Sequence, residues 1–158
     1  MTAEFLVERW EDQRTVKNLM GKYVNCLLLN RQGEIFDSFF SGREDVSLTF
    51  NDGSYIGPEA VRGYFSAIVE RNKLVAKLTQ QRFPEKLGGK TEEEIYGIGP
   101  FHVKPLTAPV IEVAEDGETA KGLWICMGCD AEVTECGPAA NWTWGYFAGD
   151  FVYENDHW

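Results

Sequence analysis

The sequence predicts an α+β fold in which helices come first and a long, curved antiparallel sheet comes last. Two observations lead to it. Apolar residues recur at helical spacing in the N-terminal part of the chain, and from Phe101 onward strand patterns follow one another with short turns between them. This order differs from the regular alternation of strand and helix in α/β proteins. At 158 residues the chain suits one packed core, so we expect a single domain over 1–158.

The first predicted elements are helices. Over residues 4–29 the apolar side chains fall on one helical stripe, and Asp12 is placed to cap a second helix within that stretch. Tyr23 lies on the apolar stripe and is expected to face inward. A short third helix follows and presents Phe39 and Phe40.

A hairpin and a further helix come next. Residues 46–50 alternate as a strand, 51–53 form an Asn-Asp-Gly turn, and 54–56 return as the second strand. Pro58 then stands at the first position of a helix, where its missing N–H costs nothing, and this helix carries Phe65.

The stretch 73–99 is interrupted by Pro, by Gly-Gly and by an acidic run, so we predict an irregular excursion that serves as a lid or an interface segment. The rest of the chain is predicted to be mostly strand. The expected strands cover 101–106, 109–114, 119–127 and 141–153.

The net charge of the chain disfavours some classes of binding partner. With 25 acidic and 15 basic residues the formal charge is −10, which disfavours nucleic acid and anionic membranes. The N-terminus carries no basic region followed by an apolar stretch, so we expect a cytoplasmic protein.

The four cysteines are expected to stay reduced in the cytoplasm. Cys126 and Cys129 have CxxC spacing, but strand positions three apart point to opposite faces and no second Cys/His pair completes a ligand set. We therefore expect no metal and no other cofactor.

Four segments of the sequence carry a known pattern. They are VKNLMGKY from Val16, YIGPEAVRGYF from Tyr55, PVIEV from Pro109 with DGETA from Asp116, and DFVYENDHW from Asp150. In this order they resemble the SnoaL-like branch of the fold shared by nuclear transport factor two, ketosteroid isomerase and scytalone dehydratase. The resemblance implies a cystatin-like α+β cone, with N-terminal helices packed in the concave face of a strongly curved, mainly antiparallel sheet. Polyketide cyclases, isomerases, dehydratases and non-catalytic binders share this fold.

The resemblance also implies a catalytic pair, because dehydratases of this fold combine an inward tyrosine with a histidine on the first long strand. Tyr23 matches the tyrosine, whose phenol can donate a hydrogen bond to a developing oxyanion. His102 is the candidate general base. Lys104 lies closer to the position where the family has its histidine, and it would share a strand face with His102. The alternatives are a core tyrosine and a polar surface face.

The carboxylates that assist this pair in the family have no match at their expected positions. Those positions fall near Leu28, with Asn30 close by, and near Gly128, with Asp130 two residues on. Asp37 and Asp130 are candidate substitutes, each expected in a solvated loop. The resemblance therefore implies an incomplete catalytic set.

Aromatic side chains alternate along the last predicted strand and its neighbour. If their bulky face points inward, it forms a flat apolar wall for a polycyclic or aromatic ligand. If it points outward, it forms a dimer surface. The residues expected to bind substrate in the first case are Phe39, Phe40, Tyr55, Phe65, Trp124, Trp142, Trp144 and Tyr146.

The predicted function is general acid/base chemistry without a cofactor: a dehydratase, cyclase or isomerase acting on a hydrophobic carbonyl or hydroxyl compound. The alternative is a non-catalytic small-molecule-binding or dimerisation domain of the same fold. A homodimer or higher homo-oligomer is the expected assembly.

Overall fold

The structure is a computed structural model that describes residues 2–50 and 53–158. The elements in these ranges are α1 (Ala3–Leu28), a 3₁₀ turn (Gln32–Glu34), α2 (Ile35–Phe39), β1 (Ser47–Phe50), β2 (Gly53–Ile56), α3 (Pro58–Arg82), α4 (Pro84–Leu87), α5 (Glu92–Ile95), β3 (Phe101–Val103), β4 (Leu106–Val113), β5 (Thr119–Thr134) and β6 (Gly137–Val152).

The strands form two antiparallel groups. β1 and β2 are a hairpin, and β5 pairs with β3 and β4 in antiparallel register and also with β6. The predicted α+β class, with helices first and an antiparallel sheet last, is confirmed. The Asn51-Asp52 part of the predicted hairpin turn lies outside the described residues.

The chain divides into two compact units. The first consists of residues 1–25, 104–128 and 143–158, and the second of 26–103 and 129–142. Each unit is therefore assembled from segments that are distant in sequence.

In the first unit, α1 contacts β4 and β6. Its buried stripe includes Val16 and Tyr23. Gln13 Nε2 donates to the carbonyl oxygen of Ile111 at 3.0 Å. The second helix predicted to begin at Asp12 does not exist, because α1 is continuous there. Asp12 Oδ1 instead accepts a hydrogen bond from the Trp158 indole at 3.1 Å, so its side chain serves a tertiary contact rather than a cap.

The second unit holds α2, the β1–β2 hairpin and α3 to α5. Pro58 opens α3 as predicted. The irregular excursion predicted over 73–99 was wrong for its first ten residues, because α3 continues to Arg82. The short helices α4 and α5 lie in the remainder. Helical spacing of buried side chains carries the helix through this stretch. Those side chains are Asn72, Val75, Ala76 and Thr79. The lid or interface role of 73–99 stays a prediction.

Strand boundaries also differ from the prediction. The strand expected over 101–106 ends at Val103, because Pro105 has no N–H to donate and disfavours regular continuation at Lys104. β5 and β6 are each 16 residues long, so the gap between the strands predicted over 119–127 and 141–153 is reduced to a turn. No helix among the described residues is long and apolar enough to cross a membrane.

Candidate functional site

The clearest chemical feature of the second unit is a histidine–aspartate pair across two strands. His102 on β3 lies directly opposite Asp130 on β5 in the antiparallel register. Opposed residues of such a ladder project to the same face with their Cβ atoms about 4.5–5.5 Å apart. The imidazole Nδ1 lies 2.8 Å from Asp130 Oδ1, and both side chains are mostly buried.

This contact fixes the tautomer of the neutral ring. An ionised carboxylate can only accept, so Nδ1 carries the proton and donates it to Asp130. The lone pair is then on Nε2, which is buried and has no hydrogen-bond partner among the described residues. A buried polar atom without a partner costs about 1–3 kcal/mol, so Nε2 is the ring atom with an unused acceptor position.

Asp130 corrects the sequence analysis. It was expected in a solvated loop, but β5 continues to Thr134 and places it within the sheet ladder. Asp130 is thus a strand residue, two positions after the one near Gly128 where the resemblance implied a carboxylate. The one signal in the sequence was the strand alternation of β5, which ran past the predicted end at Met127.

Asn30, the other residue near an expected carboxylate position, belongs to a buried amide network. Its Oδ1 accepts from Asn72 Nδ2 at 3.3 Å, and its Nδ2 donates to the carbonyl oxygen of Gly97 at 3.4 Å. Asn72 Nδ2 also donates to Gln32 Oε1 at 3.2 Å. An aspartate at position 30 could not donate, so the amide fits this structural role.

Asp37 is an exposed partner of Arg62. The Arg62 guanidinium donates to both carboxylate oxygens at 2.8 and 2.9 Å. These hydrogen bonds, with the charge attraction, lower the pKa of Asp37 below its ordinary value despite the opposing effect of partial desolvation.

Three of the predicted substrate-binding rings meet in one aromatic cluster of the second unit. Phe40 lies 5.6 Å from Phe65 between ring centroids, and Tyr55 lies 4.8 Å from Tyr64, which in turn lies 5.3 Å from Phe65. Phe65 is buried, while Phe40, Tyr55 and the nearby Phe39 of α2 are half-buried. A partly exposed aromatic cluster is suited to a flat apolar ligand.

The first unit holds the other predicted inward residues. Tyr23 is only 3% exposed, and its ring lies 5.5 Å from that of Phe147 on β6. Trp124 is 2% exposed and packs edge-on against Phe151 at 6.1 Å. Their inward orientation is confirmed.

The last three of the predicted substrate-binding rings face outward. Trp142, Trp144 and Tyr146 are 81%, 75% and 77% exposed, whereas Phe147 contacts α1. A ring that lines an enclosed pocket loses most of its accessible surface. These three rings therefore point outward in a single chain and do not line an enclosed pocket there, while a role of this face in a dimer stays a prediction.

Lys104 lies in the two-residue break between β3 and β4 and is half-buried. Strand alternation ends at Val103, so the argument that Lys104 shares a face with His102 does not hold.

None of the four cysteines forms a disulfide within the described part of the chain. Residues 2–50 and 53–158 contain no cluster of three or more metal-ligating side chains.

The architecture defines a class before any relative is considered: an α+β protein whose antiparallel sheet carries a carboxylate-supported histidine. Neither a protein-family model nor a curated protein matches the sequence. Solved structures do match. A Novosphingobium aromaticivorans protein, provisionally described as a scytalone dehydratase, has a TM-score of 0.65 at 13% identity, covering 97% of this chain and 81% of its own.

Two further solved structures match the fold of this chain. A Mycobacterium tuberculosis protein of unknown function has a TM-score of 0.58 at 19% identity, over 97% of this chain and 69% of its own. Aln2 from a Streptomyces species has a TM-score of 0.55 at 14% identity, over 99% of this chain and 86% of its own. Identities this low show the fold alone. The chain has the α+β cone fold of SnoaL-like, nuclear transport factor two-like proteins, as the sequence predicted.

Proposed function

We propose that this protein is a cofactor-independent acid/base enzyme, a dehydratase, cyclase or isomerase, acting in the cytoplasm on a hydrophobic carbonyl or hydroxyl compound. The observation that carries the proposal is the His102–Asp130 pair with its buried, unpartnered Nε2. A histidine held in one tautomer by a carboxylate is one arrangement that can abstract a proton next to a carbonyl.

The elimination step balances on this pair alone. Nε2 of His102 takes the proton from the carbon next to the substrate carbonyl, and the C–H electron pair becomes the enolate. The enolate re-forms the carbonyl as the carbon–oxygen bond to the β-hydroxyl breaks. The imidazolium returns its proton to the departing oxygen, which leaves as water. Asp130 stays ionised and stabilises the imidazolium between the two transfers.

Two observations support the substrate class. The half-buried rings of Phe40 and Tyr55 lie in an aromatic cluster, as a binding surface for a polycyclic or aromatic compound would. A structural neighbour with a TM-score of 0.65 is provisionally described as a scytalone dehydratase, which favours dehydration among the reactions of this fold. The roles that the resemblance implies for Tyr23 and Lys104 stay predictions.

The test is a turnover assay on aromatic β-hydroxy ketones, followed by the absorbance of the conjugated product. His102→Gln should lower kcat/KM at least about a hundredfold, because the lone pair of the principal base is lost. His157→Gln is the matched control: this histidine is exposed in the C-terminal turn, where Nδ1 lies 2.9 Å from the carbonyl oxygen of Asn155. Equal activity of the two variants would contradict the proposal.

The alternative is a non-catalytic small-molecule-binding domain. It predicts that apolar ligands bind wild type and His102→Gln with the same Kd and that no compound of the panel is turned over. Titration of tryptophan fluorescence with the same ketones separates the two functions, since the enzyme alone would consume its ligand.

A further inference from the structure

A second carboxylate projects from the same face of β5 as Asp130. Glu132 follows Asp130 by two positions, and β5 continues to Thr134. Side chains alternate along a strand, so the two carboxyl groups share a face, with their Cα atoms roughly 6.5–7 Å apart. The Glu132 side chain is 23% exposed, close to the 24% of Asp130. Two mostly buried carboxylates of β5 therefore lie near one imidazole.

Glu132 is the diagonal neighbour of His102 in the sheet. The β3–β5 register sets His102 opposite Asp130, so Glu132 is displaced from the histidine by two strand positions. Diagonal neighbours of an antiparallel pair lie about 7–8 Å apart, a distance that long side chains can span. Glutamate has one methylene more than aspartate, so the Glu132 carboxylate has the length to compete with Asp130 for the imidazole.

Arg71 of α3 occupies both oxygens of Glu132. Its Nη2 lies 2.6 Å from Oε1 and 2.5 Å from Oε2 and donates to them. The helix backbone at this point is anchored, because the next residue, Asn72, is 1% exposed and belongs to the buried amide network. The Glu132 carboxylate is therefore held by a cation on α3, and the imidazole is left to Asp130.

We propose that Arg71 is a positioning residue of the histidine site: it holds Glu132 away from His102, so that the imidazole is oriented by Asp130 and Nε2 keeps its lone pair. The catalytic consequence rests on the proposed function, whereas the choice between the two carboxylates does not. A released Glu132 carboxylate would bind at Nε2, the open nitrogen of the ring. A carboxylate only accepts, so Nε2 would then carry a proton and could not act as a base.

This positioning role is distinct from a contribution to stability. The Arg71 side chain is 52% exposed, and ion pairs at exposed positions add little to the free energy of unfolding. Such a pair still biases where a side chain lies by up to about fivefold in population. We therefore expect substitution of Arg71 to change the protonation of the His102 ring while far-UV circular dichroism and Tm stay close to wild type.

The test compares Arg71→Gln with the double variant Arg71→Gln/Glu132→Ala in the full chain. The ¹⁵N chemical shifts of the His102 ring are measured at about pH 8.5, where a free imidazole is neutral. In Arg71→Gln the Nε2 signal should move from the position of a nitrogen with a lone pair toward that of a protonated nitrogen. The double variant should restore the wild-type signal, because the competing carboxylate is gone. This measurement needs no substrate, so its failure is distinguishable from failure of the proposed function.

Arg62→Gln is the matched control. Arg62 also lies on α3 and donates to both oxygens of a carboxylate, that of Asp37. Its substitution removes the same charge, and the His102 signals should stay as in wild type.

A turnover assay adds the catalytic consequence. Arg71→Gln should lower kcat/KM about fivefold, and the double variant should recover it, since activity follows the fraction of molecules with a free Nε2. An unchanged Nε2 signal in Arg71→Gln, or a change that persists in the double variant, would overturn the proposal. So would an equal change in Arg62→Gln.

Discussion

Nδ1 of His102 lies 2.8 Å from Oδ1 of Asp130, and the two residues are direct partners in the β3–β5 ladder. The backbone pairing itself brings the imidazole and the carboxylate together. Orientation of the ring therefore depends on a rigid element, which is the usual requirement of a competent base.

Asp130→Asn should leave the His102 ring in place but remove its preference for the Nδ1–H tautomer. An amide can donate as well as accept, so the Nδ1–H form loses its preference and Nε2 no longer holds the lone pair consistently. We expect turnover to fall at least about a hundredfold. The ¹⁵N chemical shifts of the ring, measured by long-range NMR, report the tautomer directly and require no substrate.

Asp37→Asn is the control for that substitution. It removes the same charge from an exposed helix position that pairs with Arg62. Unchanged His102 shifts in Asp130→Asn would refute the role of the carboxylate.

Asn72→Ala should destabilise the second unit. Asn72 is 1% exposed, and its Nδ2 donates to Asn30 and to Gln32. Truncation leaves two acceptors without their donor in a buried place, at a cost of about 2–4 kcal/mol in the free energy of unfolding. Urea denaturation measures it. Asn25→Ala, at an exposed position on α1, should change the same quantity by less than about 0.5 kcal/mol.

Gly117→Ala should destabilise the turn between β4 and β5. Gly117 has φ of +78°, and a Cβ there would lie 3.1 Å from Nη2 of Arg9, which donates to the carbonyl oxygen of Glu115 at 2.8 Å. Strain and the displaced guanidinium together should lower Tm, at a cost of about 1–2 kcal/mol.

Gly21→Ala should have the opposite effect on stability from Gly117→Ala. Gly21 lies inside α1, and a Cβ there would meet no atom within 4 Å. The substitution should stabilise by about 0.5–1 kcal/mol because alanine loses less backbone entropy in a helix. Thermal unfolding of both variants in parallel checks the pair, and a Tm that falls for Gly21→Ala would contradict the packing described for α1.

The pKa of Asp37 gives a prediction in acid. Hydrogen bonds from Arg62 lower it, so the contact stabilises the fold above the ordinary aspartate pKa and is lost as pH falls through the lowered value. Arg62→Gln should move the pKa of Asp37 back toward its ordinary value in an NMR titration. Glu34, whose pKa is lowered by Arg31, should titrate as in wild type.

Much of the fold is predictable from local chemistry. The apolar stripe of α1 and the opening of α3 at Pro58 follow from helical spacing and the geometry of one residue type. The errors arose where a local signal was outweighed by burial. α3 passes through the stretch after residue 72 because its buried stripe continues, although the sequence there looks irregular.

The candidate site was predictable only in part. His102 was singled out as a candidate base from its chemistry and its predicted strand. Its partner was not, because the two residues are 28 positions apart and meet only through the register of β3 with β5. A register is a property of two strands together, so neither strand's sequence contains it.

The sequence alone determined that Trp142, Trp144 and Tyr146 share one face of a strand, since alternation in an extended chain is a local property. Only the tertiary structure decided which face that is. α1 packs against Phe147, so the neighbouring rings of Trp144 and Tyr146 must point away from it. Which side of a sheet is covered depends on where a helix distant in sequence comes to rest, and that is decided by the burial of the whole unit rather than by any residue of the strand.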